Sequence, residues 1–69
     1  MSEPALHNSL KEMRSLLGLT QAELAAKVGV SRKTINTVEN GIFVPSTILA
    51  LKLAAALGRR VEEVFRLGP

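Results

Sequence analysis

The sequence predicts an all-α domain, because apolar residues recur at helical spacing and helix start and stop signals punctuate the chain. The length of 69 residues leaves room for one small core. We therefore expect a single domain over residues 1–69, with a core spanning about residues 6–67. A core of this size supplies little stability alone, and dimerisation is the expected source of further burial.

The first two helices follow from apolar spacing and from capping signals. One helical face is formed by the apolar residues Leu6, Leu10, Met13 and Leu17. This face predicts a helix that runs to about Leu17 and stops at Gly18. A second helix is predicted to begin at Gln21, because Thr20 and Glu23 stand in the pattern of a capping box.

The third helix is predicted over residues 32–40. Gly29 accepts the left-handed backbone that ends the second helix, and Ser31 is a new N-cap two residues later. Ile35 and Val38 are expected to point inward and to anchor this helix on the core.

Two further helices are predicted in the last third of the chain. Residues 47–57 follow a Pro-Ser pair and are apolar nearly all round, Lys52 excepted, which is typical of a helix buried on several sides. A last turn or two over residues 62–67 returns Val64 and Phe65 to the core.

Residues 21–40 are interpreted as one helix-turn-helix unit. Small, apolar or glycine residues stand where two crossing helices and their turn need them: Leu24, Ala25, Val28, Gly29, Val30, Ile35 and Val38. The opposite face of the third helix carries Lys33, Asn36, Thr37 and Asn40, with Arg32 beside them. Such side chains can read base edges in a DNA groove, and the alternative is an ordinary solvated face. Two cations in the first helical turn oppose the macrodipole, which favours the DNA interpretation.

Composition excludes several classes of function. The chain has no cysteine and a single histidine, His7, so we expect no enzyme, no metal site and no cofactor. The net charge of +3 favours a polyanionic partner. The N-terminus lacks a signal-peptide pattern, and the longest apolar stretch, residues 48–57, is too short to span a bilayer. We expect a cytoplasmic protein without a membrane partner or a small-molecule ligand.

Four segments together resemble the lambda-repressor and Cro-like helix-turn-helix family. They are residues 19–25 (LTQAELA), 29–35 (GVSRKTI), 39–41 (ENG) and 45–46 (PS). The resemblance covers roughly residues 8–65. It implies a compact five-helix bundle whose helix 32–40 enters the major groove of a palindromic operator, bound by a homodimer that regulates transcription, in the first instance as a repressor.

The resemblance also implies roles for individual residues. The residues that it implies contact bases or nearby phosphates are Ser31, Arg32, Lys33, Asn36 and Thr37. Contacts with backbone phosphates fall to Gln21, Asn40 and Thr20. An internal ion pair is expected between Arg14 and Glu39, because an acid near a helix C-terminus needs a compensating partner.

Two segments depart from the family pattern. Ile42-Phe43-Val44 replaces the basic residues that often follow the recognition helix, and Phe43 either packs on the core or offers an apolar surface to a partner. Arg59-Arg60 is either a solvated basic pair or meets an acid across a dimer interface. The expected dimer interface contains Val61, Phe65 and Leu67. The alternative function is a protein-interaction module or antitoxin-type partner that uses residues 42–44 and the C-terminal helices.

Overall fold

The computed structural model describes residues 5–68, which form five helices and two short strands. Helices α1 to α5 are Leu10–Leu16, Gln21–Val28, Arg32–Glu39, Thr47–Leu57 and Val61–Val64. Strands β1 and β2 are Leu6–Asn8 and Phe65–Leu67. The predicted number of helices, five, is confirmed. The first four residues and the last residue of the predicted domain 1–69 lie outside the described part of the chain.

The ends of the described chain form a two-stranded antiparallel sheet, which corrects the first and last predicted helices. β1 pairs with β2 in the register Leu6↔Leu67, His7↔Arg66 and Asn8↔Phe65. Leu6 therefore lies on a strand and not on α1, and the last helix ends at Val64. Three-residue segments carry too little periodicity to separate strand from helix, and pairing between chain ends leaves no local signal.

The end of α1 departs from the prediction as well. Leu17 was expected on the buried face, but 54% of its surface is exposed. It caps the C-terminus of α1, and the chain turns away at Gly18, so the apolar face ends with Met13, which is half-buried.

Local capping signals position the two helices of the predicted helix-turn-helix. The Thr20 hydroxyl accepts a hydrogen bond from the Glu23 backbone N–H at 3.0 Å, and the Glu23 carboxylate accepts one from the Thr20 N–H at 2.9 Å. Gly29 ends α2 with φ +77°, a left-handed conformation that strains any residue with a Cβ. The Ser31 hydroxyl then caps α3 by accepting from the Thr34 N–H at 3.1 Å. These caps confirm the predicted helix starts at Gln21 and Arg32.

The core lies where α2, α3 and α4 meet, and it is closed by α1, α5 and β2. The largest fully buried side chains are Leu10, Leu24, Ile35, Leu53, Val38 and Val64. Ile48 and Leu51 of α4 are 69% and 53% exposed, so one face of this helix is open to solvent. The apolar pattern of α4 is typical of a helix buried on several sides, and a domain of this size was not expected to bury all of it alone. An apolar face therefore remains uncovered in the single chain.

Asn8 ties the sheet to α3. Its Nδ2 donates to the Val38 carbonyl at 3.0 Å, and its Oδ1 accepts from the Leu10 N–H at 3.1 Å. One side chain thus caps the start of α1 and satisfies a carbonyl in the last turn of α3. The orientation of α3 is thereby linked to the N-terminal strand.

Candidate nucleic-acid interface

The exposed face of α3 carries the side chains that the sequence assigns to base contacts. Ile35 and Val38 anchor the inner face, with 0% and 1% of their surfaces exposed. On the outside, the predicted contact residues Ser31, Arg32, Lys33 and Asn36 are exposed, and Thr37 is half-buried. α3 therefore presents one continuous polar face, because burying Ile35 and Val38 leaves these positions on the outer side of the helix.

Positive charge is concentrated at the start of α3. Arg32 and Lys33 occupy its first turn, which contains no acidic residue. α2 and α5, by contrast, have acidic residues in their first turns. Among the described residues, neither Arg32 nor Lys33 has an ion-pair partner. The helix dipole and the two unneutralised cations thus both make the electrostatic potential positive at this exposed end of α3. A positive potential there attracts a phosphate or the acceptor edge of a guanine.

A polar cleft opens between the first residues of α2 and α3. Its lining residues are Gln21, Arg32, Lys33 and Asn36. A nucleotide in this cleft would meet two cations and two carboxamides, which together match the donors and acceptors of phosphates and of purine edges.

A nearly buried ion pair lies behind the polar cleft. Arg14 Nε is 2.6 Å from Glu39 Oε2, and the two side chains are 12% and 3% exposed. Arg14 also donates to the Leu19 carbonyl at 2.8 Å. Gln21 Nε2 donates to Glu39 Oε1 at 3.0 Å, a contact that the sequence did not suggest. The three side chains hold the start of α2 against the end of α3.

Several of the predicted phosphate and base contacts already take part in hydrogen bonds within the chain. Asn40 Nδ2 donates to the Asn36 carbonyl at 2.9 Å and to Asn36 Oδ1 at 3.2 Å. The Thr37 hydroxyl donates to the carbonyls of Lys33 and Thr34, both at 3.0 Å. The Thr20 hydroxyl is an acceptor in the α2 cap. Within residues 5–68, by contrast, the side chains of Arg32 and Lys33 make no ion pair, so DNA contacts do not have to replace one.

Comparison with known sequences settles the family. A helix-turn-helix family model matches residues 10–64, which contain all five helices. The chain belongs to the Cro-like (XRE-type) helix-turn-helix family of transcriptional regulators. A regulator of this family from Bacillus subtilis is 42% identical over 60 residues, or 87% of this chain and 91% of the relative. Another, from the archaeon Methanothermobacter thermautotrophicus, is 53% identical over 57 residues, or 81% of this chain and 83% of the relative.

Solved structures of helix-turn-helix proteins share the fold. The restriction-modification controller protein C.AhdI of Aeromonas hydrophila superposes with a TM-score of 0.75 at 39% identity, over 78% of this chain and 82% of that one. The clp gene regulator ClgR of Corynebacterium glutamicum gives a TM-score of 0.75 at 31% identity, over 78% of this chain and 57% of that one.

In this helix-turn-helix regulator, the loop after α3 is apolar and exposed. Ile42, Phe43 and Val44 are 76%, 47% and 66% exposed, and none of them belongs to the core. Phe43 thus does not pack on the core, which was one of the two roles open to it. It lies beside Thr34 and Thr37 of α3 instead. The sequence analysis did not predict that Phe43 lies beside α3. The only signal for it was Gly41, whose left-handed conformation (φ +71°) turns the chain back after α3.

The surface that the sequence assigns to a dimer is only partly exposed. Phe65 is 8% exposed and packs in the core of its own chain, whereas Leu67 is 71% exposed. Val61 is half-buried against the core. Leu67 is therefore the member of this set with most surface left for a partner.

The basic pair at residues 59–60 lies just before α5 and beside acidic residues of that helix. Arg60 Nε is 3.0 Å from Glu62 Oε1, and Arg59 is 3.9 Å from Glu63. All four side chains are at least 43% exposed, so these ion pairs add little stability. The Glu63 carboxylate also accepts a hydrogen bond at 2.9 Å from the backbone N–H of Arg60, the N-cap residue of α5.

Proposed function

We propose that this regulator is a repressor that binds a palindromic operator in double-stranded DNA as a homodimer, with α3 in the major groove. The observation that carries the proposal is the exposed first turn of α3. Two cations lie there, at the positive end of a helix dipole, and neither has an ion-pair partner within residues 5–68. Bases and phosphates supply the negative partners that this turn lacks.

The roles of the side chains follow from their chemistry. Arg32 and Lys33 donate to guanine O6 and N7, and Asn36 pairs with adenine N6 and N7. Ser31 and Thr37 contact bases or phosphates at the edges of the same footprint. The DNA backbone on either side of α3 is contacted by Gln21, Thr20 and Asn40. These phosphate contacts fix the position of α3 along the major groove. The Arg14–Glu39 ion pair holds α1 against α3, and the hydrogen bond from Gln21 to Glu39 adds the start of α2. Together they support the crossing of α2 and α3 that these contacts require.

A homodimer is supported by the small core and by the apolar surface that remains exposed late in the chain. Leu67, Ile48 and Leu51 are all more than half exposed. A two-fold dimer would place its two α3 helices about 34 Å apart, one turn of DNA, which is the reason for a palindromic site. Sedimentation at high micromolar concentration should give the dimer mass, and a monomer mass would contradict the proposal.

The proposal needs neither a cofactor nor a catalytic group. Within residues 5–68 no cluster of histidine, cysteine, aspartate and glutamate could hold a metal ion. No helix in the same part of the chain is long and apolar enough to cross a membrane. Such a regulator acts in the cytoplasm of a bacterial or archaeal cell, where the genome lies.

A second candidate is a protein-interaction module or antitoxin-type partner. The observation that favours it is the exposed apolar loop 42–44, since an isolated apolar loop of this kind suits a protein partner. Under this candidate, Phe43→Ser abolishes binding of the protein partner, whereas Arg32→Ala leaves it intact. Under the proposed function, Arg32→Ala is the more damaging change.

The test begins with selection of bound duplexes from a random library, followed by affinity measurements against salt concentration. The variant Arg32→Ala/Lys33→Ala should bind the selected operator weakly, and each lost phosphate contact should flatten the slope of log K against log salt by about 0.9. The matched control is Lys27→Ala/Lys52→Ala, which removes the same charge from exposed positions beside a different cleft. It should retain most of the affinity. If no sequence is enriched and both variants bind as the wild type does, the proposal fails.

A further inference from the structure

An apolar cleft lies along α3 on the side away from the polar cleft. Its lining residues are Ser31, Lys33, Thr34, Thr37, Ile42 and Phe43. The polar cleft contains Gln21, Arg32 and Asn36, and Lys33 borders both. The recognition helix is therefore flanked by two surfaces of different chemistry, separated by one lysine.

Backbone hydrogen bonds hold the apolar wall of this cleft against the helix. The N–H groups of Ile42 and Phe43 both donate to the Thr37 carbonyl, at 2.9 and 3.2 Å. The loop is thus joined to the last turns of α3. Its two large side chains remain exposed, although they lie beside the helix.

The hydroxyl groups of the cleft are already occupied. Thr37 donates its hydroxyl proton to two carbonyls of its own helix. The Ser31 and Thr34 hydroxyls lie 3.0 Å apart and hydrogen-bond to each other. Apart from Lys33, which borders both clefts, the cleft therefore has few donors left for a base edge. A polar group that enters it beside the loop would lose hydrogen bonds with water and gain only apolar contacts. An apolar group would gain from the same contacts.

We propose that this cleft binds the 5-methyl group of a thymine in each half-site of the operator. Thymine is the only one of the four bases that presents a methyl group in the major groove. Lys33 and Thr37 belong both to the proposed base-reading face and to this cleft, so a base beside α3 brings its groove edge to Ile42 and Phe43. The inference rests on the proposed function and adds a specificity-determining contact from the loop, where the family pattern has basic residues.

The test is a scan of the selected operator in which each thymine is replaced in turn by deoxyuridine, which lacks only the methyl group. At one position per half-site, the replacement should weaken wild-type binding about fourfold, and about fifteenfold when both half-sites are changed. At that position, 5-methylcytosine should bind more tightly than cytosine by a similar factor. These measurements use the wild-type chain and do not depend on the folding of a variant.

Variants of the loop identify the residues responsible. Ile42→Ser/Phe43→Ser should bind the thymine and deoxyuridine operators equally. The control Val44→Ser changes a residue of the same loop that is 66% exposed and does not line the cleft. It should discriminate as the wild type does. Circular dichroism establishes that each variant is folded.

The possible failures are distinguishable. A selected operator with a flat deoxyuridine scan, or with no thymine in its half-sites, overturns the methyl contact and leaves the proposed function intact. If Ile42→Ser/Phe43→Ser weakens binding of both operators by the same factor, discrimination is retained and the methyl contact is overturned in favour of contacts with deoxyribose. If the variant keeps both the affinity and the discrimination of the wild type, the methyl contact is overturned too. Loss of the dimer mass together with retained discrimination would assign the cleft to a second copy of the chain. If no operator is enriched from the library, the proposed function itself is contradicted.

Discussion

Arg14 of α1 and Glu39, the last residue of α3, form a bidentate ion pair in which Arg14 Nε and a terminal nitrogen lie 2.6 and 3.3 Å from the two carboxylate oxygens. Both side chains are nearly buried. Gln21 of α2 donates to the same carboxylate. Together with Gln21, the pair therefore joins three helices at the point where α2 and α3 must cross. Its main energetic importance is that removing either member leaves the other charge nearly buried without a partner, which is costly.

Removal of one member of this pair should be costly, and removal of both much less so. Arg14→Met or Glu39→Met leaves an uncompensated charge and should lower the free energy of unfolding by about 3 kcal/mol. The double variant should lose clearly less than the sum of the single losses. Urea unfolding measures all three, with Gln21→Met as a control that removes a single hydrogen bond, worth about 1 kcal/mol net. Additive losses would show that the two charges do not stabilise each other.

Removing the serine caps of α3 and α4 one at a time should distinguish an effect on stability from an effect on DNA binding. Ser31 caps the recognition helix, and Ser46 caps α4 with the same geometry, its hydroxyl accepting from the Leu49 N–H at 3.1 Å. Ser31→Ala and Ser46→Ala should each cost about 1 kcal/mol of stability. Only Ser31→Ala should weaken operator binding beyond that loss, because Ser31 lies at the proposed interface. Equal effects of both variants on binding would argue against α3 as the reading helix.

Burial on α4 should decide the effect of truncating its leucines. Leu53 is 0% exposed, and Leu51, on the same helix, is 53% exposed. Leu53→Ala leaves a cavity and should cost about 2–5 kcal/mol, enough to unfold much of so small a domain. Leu51→Ala should change the stability of the monomer by less than about 0.5 kcal/mol. Thermal unfolding measures both. A large loss in Leu51→Ala that depends on protein concentration would place this face in the dimer interface.

The cap of α2 should lose strength in acid. Hydrogen bonds from the Thr20 backbone N–H, and then from its side chain, lower the pKa of the Glu23 carboxyl below its ordinary value of 4.5. Because the pKa is lower in the folded chain, this contribution to stability is present above pH 4.5 and is lost as the pH falls through the folded-state pKa. Glu23→Gln keeps a neutral acceptor at the same position. The unfolding temperatures of wild type and variant should converge in acid, and a constant difference would contradict the assignment.

Local signals predicted the helix-turn-helix well. Thr20, Glu23, Gly29 and Ser31 act through hydrogen bonds and backbone angles within three residues of themselves, so the bounds of α2 and the start of α3 could be derived from the sequence. Burial of Ile35 then placed Lys33 and its neighbours on the outer face. The link from Gln21 to Glu39 could not be derived, because it joins residues 18 positions apart whose proximity depends on the helix crossing.

The sequence by itself determined α2, α3 and α4, their N-terminal caps and the residues that share the exposed face of α3, because each depends on neighbours within a turn or two. Only the tertiary structure decided that Leu6 pairs with Leu67 and that Phe43 lies beside α3 rather than on the core. It also decided that Phe65, which the sequence assigned both to the core and to a dimer interface, is buried in its own chain. Those outcomes depend on packing between residues that are far apart in the sequence, because the small core can bury only some of the apolar side chains. Among residues 5–68, twelve buried apolar residues form that core, and the loop after α3 is left on the outside, next to α3.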